Sequence, residues 1–307
     1  MKLTVFNSWR NKWKSSLTIL LILLMFVAGY AGLNSYKRGG LEFRFNQFNQ
    51  TLNHQIFANQ RNRLCIEELP HLAYAKYCLL EKPGKPTIVI MGDSHAFQYH
   101  HSLIEQFPSE NILTIGESAC LPFTGSSSNV PKHCEALSKD VLNYLTNENS
   151  IKKIYIAGYW SYLKTNVLGA KGPTDPSQYE KIKFEENARS ILLNLARTGK
   201  ETIVVLDNPH WWNINPRDCL FKRKILLNQK LAERCSAIKD TFVAEDEEII
   251  SIVNTLRNNH QNINMLDSKD YLCDKKICNV VIGNSEVYYD ANHLTPIGSK
   301  LISFDKK

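Results

Sequence analysis

The chain has 307 residues, of which 43% are hydrophobic and 22% charged, with 14 Gly and 11 Pro. This composition excludes a disordered, collagen-like or linker protein, and the length suits one large domain or two modest ones. The net charge of +7 would fit a nucleic-acid binder, but six basic residues and no acidic ones fall in the first 40 positions, leaving 31 basic against 30 acidic in the remainder. The basicity belongs to the N-terminal segment, and no nucleic-acid partner is expected.

Residues 15–36 carry no charge, and Leu17 to Leu33 is almost uniformly apolar. A helix of roughly 20 such residues crosses the hydrocarbon layer of a bilayer. Arg10, Lys12 and Lys14 precede it, while Lys37 and Arg38 follow it. This bias mildly favours a cytoplasmic N-terminus at 1–14, a transmembrane anchor at 15–36 and the bulk of the chain outside the inner membrane, in the periplasm or beyond the cell. The alternative is a cleaved signal, for which Gly29-Tyr30-Ala31 is a poor small-x-small site. Residues 37–60 are polar and rich in Asn and Gln, as in a linker, and 61–307 is expected to be the main folded domain.

The chain has eight cysteines, Cys65, Cys78, Cys120, Cys134, Cys219, Cys235, Cys273 and Cys278. An even number behind an export segment reads as disulfides. The short consecutive gaps point to Cys65–Cys78, Cys120–Cys134, Cys219–Cys235 and Cys273–Cys278. There is no C-x-x-C pair, so no zinc site, and no cofactor is expected.

From residue 87 onward, buried apolar runs alternate with helical patterns. Strands are expected at 87–91, 111–115, 154–157, 202–206 and 263–266. Helices are expected at 95–107, 184–195 and 242–256, with a hairpin over 280–289 turning at Gly283-Asn284. Such alternation implies a parallel sheet covered on both faces, with ligands at the carboxyl ends of the strands.

At the end of the 87–91 strand stands Gly92-Asp93-Ser94-His95, and a helix is expected to follow at once. A serine here lies at a helix N-terminus, where unpaired N–H groups favour a developing oxyanion. Asp93 and Ser94 also suit a plain helix cap. Near the C-terminus is Asp290-Ala291-Asn292-His293-Leu294-Thr295-Pro296. Thr295 is a good N-cap and Pro296 a good first helical residue, so His293 falls on the loop before a helix, and Asp290 can turn back to hold its imidazole. The G-x-S-x-G elbow is absent, since Ala96 stands at its last glycine.

Gly-Asp-Ser after the strand and D-x-x-H near the end resemble the SGNH (GDSL-like) hydrolase superfamily. Gly92-Asp93-Ser94-His95, the segment 156–161, the loop from Asn208 to Cys219 and Asp290-x-x-His293-Leu294-Thr295 look still more like the periplasmic SGNH domain of membrane O-acyltransferases that modify surface polysaccharides. The resemblance covers about residues 60–305. It implies a three-layer α/β/α sandwich, flavodoxin-like, with Ser94 as nucleophile, His293 as base and Asp290 as its orienter. It further implies an acyltransferase or esterase acting on an envelope glycan, with the acyl group supplied by a separate membrane acyltransferase or by a soluble ester.

The sequence departs from the family pattern at the third block, where Tyr159-Trp160-Ser161 carries no Asn. The backbone N–H groups of Ser94 and Gly116 are then the oxyanion candidates. Asp93, His95 and Trp160 are expected around the site. His100 is expected to pack in the core, and Trp211-Trp212 to be either a sugar-stacking platform or core packing. The missing Asn leaves a second reading open, that of a catalytically silent glycan-binding or scaffold module.

Overall fold

The computed structural model describes residues 2–37, 60–123, 133–161, 178–212, 214, 216, 219, 235–282 and 285–305, with side chains from 16 in the first helix and from 182 in the helix that begins at 178. The chain divides into two units, Met1–His54 and Gln55–Lys307. The first holds one long helix, α1 (Lys2–Lys37). Its Ser16–Lys37 portion has a mean hydropathy of 2.3 and is long and apolar enough to cross a membrane.

The second unit is built on a seven-stranded sheet. Its strands are β1 (Gln60–Arg61), β2 (Tyr77–Leu80), β3 (Ile88–Gly92), β4 (Ile112–Gly116), β5 (Lys153–Ala157), β6 (Glu201–Leu206) and β8 (Ile263–Asp267), in spatial order β1-β2-β4-β3-β5-β6-β8. A three-residue strand, β7 (Ser236–Ile238), precedes β8 in the chain and pairs outside this sheet with β9 (Ile277–Asn279). The strands from β4 to β8 run parallel, whereas β2 pairs antiparallel with β4. The sheet is therefore mostly, not wholly, parallel. β1 and β2 escape the sequence reading because they have only two and four residues.

Alternation along each strand sends side chains to two separate cores. Val89, Met91, Leu113, Ile115, Ile154, Ile156, Val204 and Leu206 pack on one side. Ile88, Ile90, Ile112, Tyr155, Ala157, Ile203 and Val205 pack on the other. The first face is covered by helices at His133–Asn147, Gln178–Arg197 and Glu247–Arg257, through Leu137, Val141, Leu192, Leu195, Ile252 and Val253. The second is covered by Ala96, Tyr99, Leu103, Trp211, Phe242, Tyr288 and Phe304. The result is the three-layer α/β/α sandwich.

Three local differences from the sequence reading have physical causes. The helix expected over 95–107 is two short ones, α2 (Ser94–Phe97) and α3 (His100–Gln106). Tyr99 N–H bonds back three residues to Ala96, tightening the turn, and Tyr99 then starts the next helix. The helix at His133–Asn147 carries the disulfide cysteine Cys134 in its first turn and is not among the expected helices. The segment expected as one helix over 242–256 is divided by a 3₁₀ turn at Ala244–Asp246. The hairpin pairs Val281–Ile282 with Ser285–Glu286, and its expected turn at 283–284 lies outside the described residues, as does most of the 37–60 linker.

The cysteines are bonded as Cys65–Cys78, Cys120–Cys134, Cys219–Cys235 and Cys273–Cys278, with separations of 13, 14, 16 and 5 residues. No cysteine is free. In the chain-entropy account a closed loop of about 15 residues is worth roughly 3 kcal/mol.

Two glycines set the geometry at the carboxyl edge of the sheet. Gly92 (φ +152°) and Gly116 (φ +157°) sit in register on neighbouring strands. A Cβ on Gly92 would stand 1.7 Å from the Ala157 carbonyl oxygen, and one on Gly116 would stand 1.7 Å from the Gly92 carbonyl oxygen. Only a residue without a side chain lets these strand ends close up beside Ser94.

Candidate active site

β3 ends at Gly92, and the chain turns at once into α2. Asp93 is the N-cap: its Oδ1 accepts from His95 N–H at 2.8 Å, and its Oδ2 accepts from Tyr159 N–H at 2.9 Å. One buried carboxylate thus ties the turn after β3 to the turn after β5. Burial raises the Asp93 pKa to about 6, against the pull of His95 and the two N–H groups. Ser94 follows as the first helical residue.

The second contributor arrives from the far end of the chain. Thr295 caps the last helix, Pro296–Lys300, by accepting from Gly298 N–H, with Pro296 in the first turn. Immediately before it, the Asp290 Oδ1 accepts from the N–H groups of Asn292 (2.9 Å) and His293 (2.8 Å), which curls the loop. His293 Nδ1 lies 2.9 and 3.1 Å from the two Asp290 oxygens, and its Nε2 lies 2.9 Å from Ser94 Oγ. The structure therefore brings together Ser94, His293 and Asp290, from positions 199 residues apart. Such a chain can draw a proton from a hydroxyl onto an imidazole whose far nitrogen is held by a carboxylate.

Two buried amides hold this loop in place. Gln98 Oε1 accepts from Leu294 N–H at 2.7 Å, and Asn208 Nδ2 donates to Asn292 O at 2.9 Å. Gln98 Nε2 in turn donates to Asn208 Oδ1 at 2.9 Å. The peptides on either side of His293 are thus clamped by Gln98, just after α2, and Asn208, just after β6. Trp211 N–H adds a bond to Ala291 O.

Burial lowers the His293 pKa below its ordinary 6.5, the Asp290 hydrogen bond opposes this, and the nearby His95 reinforces it. Although burial pushes the Asp290 carboxyl up, its bonds to His293 and to the two N–H groups bring it down to about 2. At neutral pH the imidazole is therefore neutral and its partner ionised.

The expected surrounding residues divide. His95 is beside the site: its ring centroid is 4.9 Å from that of His293 and 5.1 Å from that of Tyr159. Gly116 lies on the strand next to Gly92, at the same edge. Trp160, in contrast, is a core residue. Its indole stacks on Phe123, and its N–H donates to the Val205 carbonyl at 2.8 Å. Although it lies within the third block, its ring packs into the core that contains Phe123 and Phe184. His100 is buried with Nδ1 2.8 Å from Thr114 Oγ1, and burial lowers its pKa to about 4. Trp211 is buried against Phe242 and Tyr288, whereas Trp212 is 45% exposed and lies beside Tyr159 and His210.

Sequence reasoning missed a buried polar cluster next to His95. Asp207, just past β6, places Oδ1 2.7 Å from His95 Nδ1 and Oδ2 3.2 Å from His210 Nε2. His210 Nδ1 lies 2.9 Å from Glu245 Oε2 and 3.1 Å from Ser161 Oγ. Lys269, itself buried, donates to the Asp207 carbonyl oxygen and pairs with Asp246 at 2.5 Å. The available signal was an Asp ending a buried strand three residues before a His, the spacing also seen in Asp290 and His293, at the edge where such sheets hold ligands. His95, Asp207 and His210 present ligand atoms within 4.8 Å of one another. The 2.7 Å between His95 Nδ1 and Asp207 Oδ1 is the length of a charge-assisted hydrogen bond, which already joins these two ligand atoms to each other. Cys120, His133 and Cys134 also cluster, but the two sulfurs are bonded to each other and offer no thiolate.

The profile of one protein family, described as an SGNH domain (fused to AT3 domains), matches residues 64–304. Among solved structures, the periplasmic domain of a Salmonella ser. Paratyphi A lipopolysaccharide acetyltransferase is similar at 18% identity and a TM-score of 0.49, over 72% of this chain and 81% of that one. An acetyl xylan esterase, AlAXEase, is similar at 11% identity and 0.40, over 69% and 94%. The C-terminal catalytic domain of Streptococcus pneumoniae peptidoglycan O-acetyltransferase A is similar at 13% identity and 0.32, over 70% and 87%. No curated protein matches the chain.

Proposed function

Because the chain belongs to the family of SGNH domains fused to AT3 domains, we propose that it is a membrane-anchored serine O-acyltransferase or esterase that adds or removes an acyl group, acetyl first among them, on an envelope glycan. The observation that carries this reading is the 2.9 Å approach of His293 Nε2 to Ser94 Oγ, with Asp290 on the opposite nitrogen. In the proposed reaction His293 takes the hydroxyl proton as Ser94 Oγ attacks the acyl carbonyl carbon. The carbonyl oxygen becomes an oxyanion, for which the backbone N–H groups of Ser94 and Gly116 are the proposed donors. Collapse expels the donor alcohol, which receives the proton from the imidazolium, and leaves an acyl-Ser94 ester. A sugar hydroxyl or water, deprotonated in turn by His293, attacks that ester and frees the serine.

Placement outside the inner membrane, held by Ser16–Lys37, fits the apolar helix. A separate membrane acyltransferase is the proposed acyl source, in keeping with the family's fusion to AT3 domains. The test is incubation of the protein with an acyl donor and purified envelope polysaccharide, followed by mass spectrometry of the glycan. A change in acyl count that Ser94→Ala abolishes supports the reading, and an unchanged glycan with every acyl donor and every acylated polysaccharide tried rejects it.

Trp212 supplies an exposed aromatic face near the site, of the kind on which a sugar ring stacks. Trp212→Ala is expected to raise KM for the polysaccharide roughly fivefold, as loss of a stacking contact of about 1 kcal/mol implies. Turnover of a small activated acetyl ester should be unchanged, and an equal loss on both substrates would argue against a sugar contact.

A further inference from the structure

The buried cluster behind His95 is not needed to assemble Ser94, His293 and Asp290, yet it brings several charged groups against them. Facing His293 are Ser94 and His95 from α2, Asp290 from its own loop and, farther off, Asp207 at the end of β6. Facing His95 are Asp93, Asp207 and His210, with the Tyr159 ring on one side. Asp207 is itself fixed from behind, through the Lys269 ammonium on its carbonyl and the Lys269–Asp246 pair. His95 is 2% exposed and Asp207 4% exposed, so little water screens them.

We propose that His95 is a positioning residue for the proton relay: paired with Asp207, it carries a positive charge beside His293 and so keeps that imidazole free to accept the Ser94 proton in acidic surroundings. The inference rests on the proposed role of His293 as base. Geometry carries it, since the imidazole rings of His95 and His293 are 4.9 Å apart and Asp207 lies on the ring nitrogen of His95 at 2.7 Å. The electrostatics agree. Burial disfavours the His95 cation, but the Asp207 carboxylate outweighs it and the net shift is upward, while His95 acts on His293 in the downward direction. The ordering predicted is that His95 stays protonated to a higher pH than His293.

The experiment is an NMR titration of the histidine rings in the full-length protein, labelled with ¹³C-histidine, for the wild type, His95→Gln and Asp207→Asn. Glutamine keeps a donor for Asp207 and removes the charge. The His293 pKa is expected below 6.5 in the wild type and higher by roughly one unit or more in His95→Gln, as an unscreened charge about 5 Å away implies. In Asp207→Asn the His95 pKa falls and that of His293 rises by a smaller amount. The acid limb of kcat/KM on an activated ester should move upward with His293 in both variants.

An unmoved His293 pKa in a folded His95→Gln protein overturns the inference. So does a wild-type His95 that loses its proton at lower pH than His293, a result that needs no variant. Neither outcome touches the role of Ser94, whose failure would appear separately as an active Ser94→Ala enzyme.

Discussion

Ser94→Ala is expected to lower kcat/KM on an activated acetyl ester by roughly 10³- to 10⁶-fold while leaving the fold intact. The two parts of this expectation have separate physical grounds. The Oγ is the atom that would bond the acyl carbon, and nothing else on α2 can replace it at 2.9 Å from the imidazole. The helix itself does not depend on it, because Asp93 supplies the cap through His95 N–H and is held in turn by Tyr159 N–H. Asp290→Asn should cost less than Ser94→Ala. The amide can still accept from Asn292 and His293 N–H but no longer stabilises an imidazolium. Steady-state kinetics with melting curves on the same preparations check this. Activity retained within tenfold in Ser94→Ala would remove Ser94 from the reaction, whereas loss of both activity and melting temperature would show a structural serine.

Gly92→Ala is expected to destabilise the second unit by more than about 4 kcal/mol, in the range reserved for changes that force backbone to move. The added methyl would meet the Ala157 carbonyl oxygen at 1.7 Å, and that oxygen belongs to the central sheet and has nowhere to shift. Gly84→Ala is the control. Gly84 also has positive φ, +91°, but nothing stands within 4 Å of its absent Cβ, so only the local strain of about 1–3 kcal/mol applies. Urea unfolding of the two variants should separate them clearly. Equal midpoints would mean that the close approach of β3 and β5 is not what demands a glycine at 92. Any folded Gly92→Ala protein should also be impaired catalytically, because Gly92 sets where Ser94 emerges.

The sequence made much of this architecture readable because the sheet is buried on both faces. Ile88–Met91, Ile154–Ala157 and Thr202–Leu206 are continuous apolar runs of strand length, and each stands within a residue of its observed bounds. Ser94, Asp290 and His293 were visible because each sits where local rules act: a strand end, a cap, an i to i+3 turn. Asp207, His210 and Glu245 were not, since no local spacing relates them to His95, which lies 112 positions from Asp207. Their association is created by adjacency of β3, β5 and β6 in the sheet, a property of strand order that no short motif encodes. Trp160 shows the converse. It stands beside Tyr159 in sequence, but the chain turns there, with Trp160 N–H bonded back to the Gly158 carbonyl, and the indole packs on Phe123 and Phe184 instead of facing His95. Trp211 and Trp212 repeat the lesson, one buried on Tyr288 and the other left half in solvent.

The central claim is that Ser94 is an activated nucleophile. A serine-directed fluorophosphonate, added to the folded full-length protein and followed by peptide mass spectrometry, tests it most directly. The expected result is a single phosphonyl adduct on the peptide containing Ser94, slowed at least a hundredfold when His293 is replaced by Ala. Folded protein that takes up no label at Ser94, or labels equally fast without the imidazole, would contradict it.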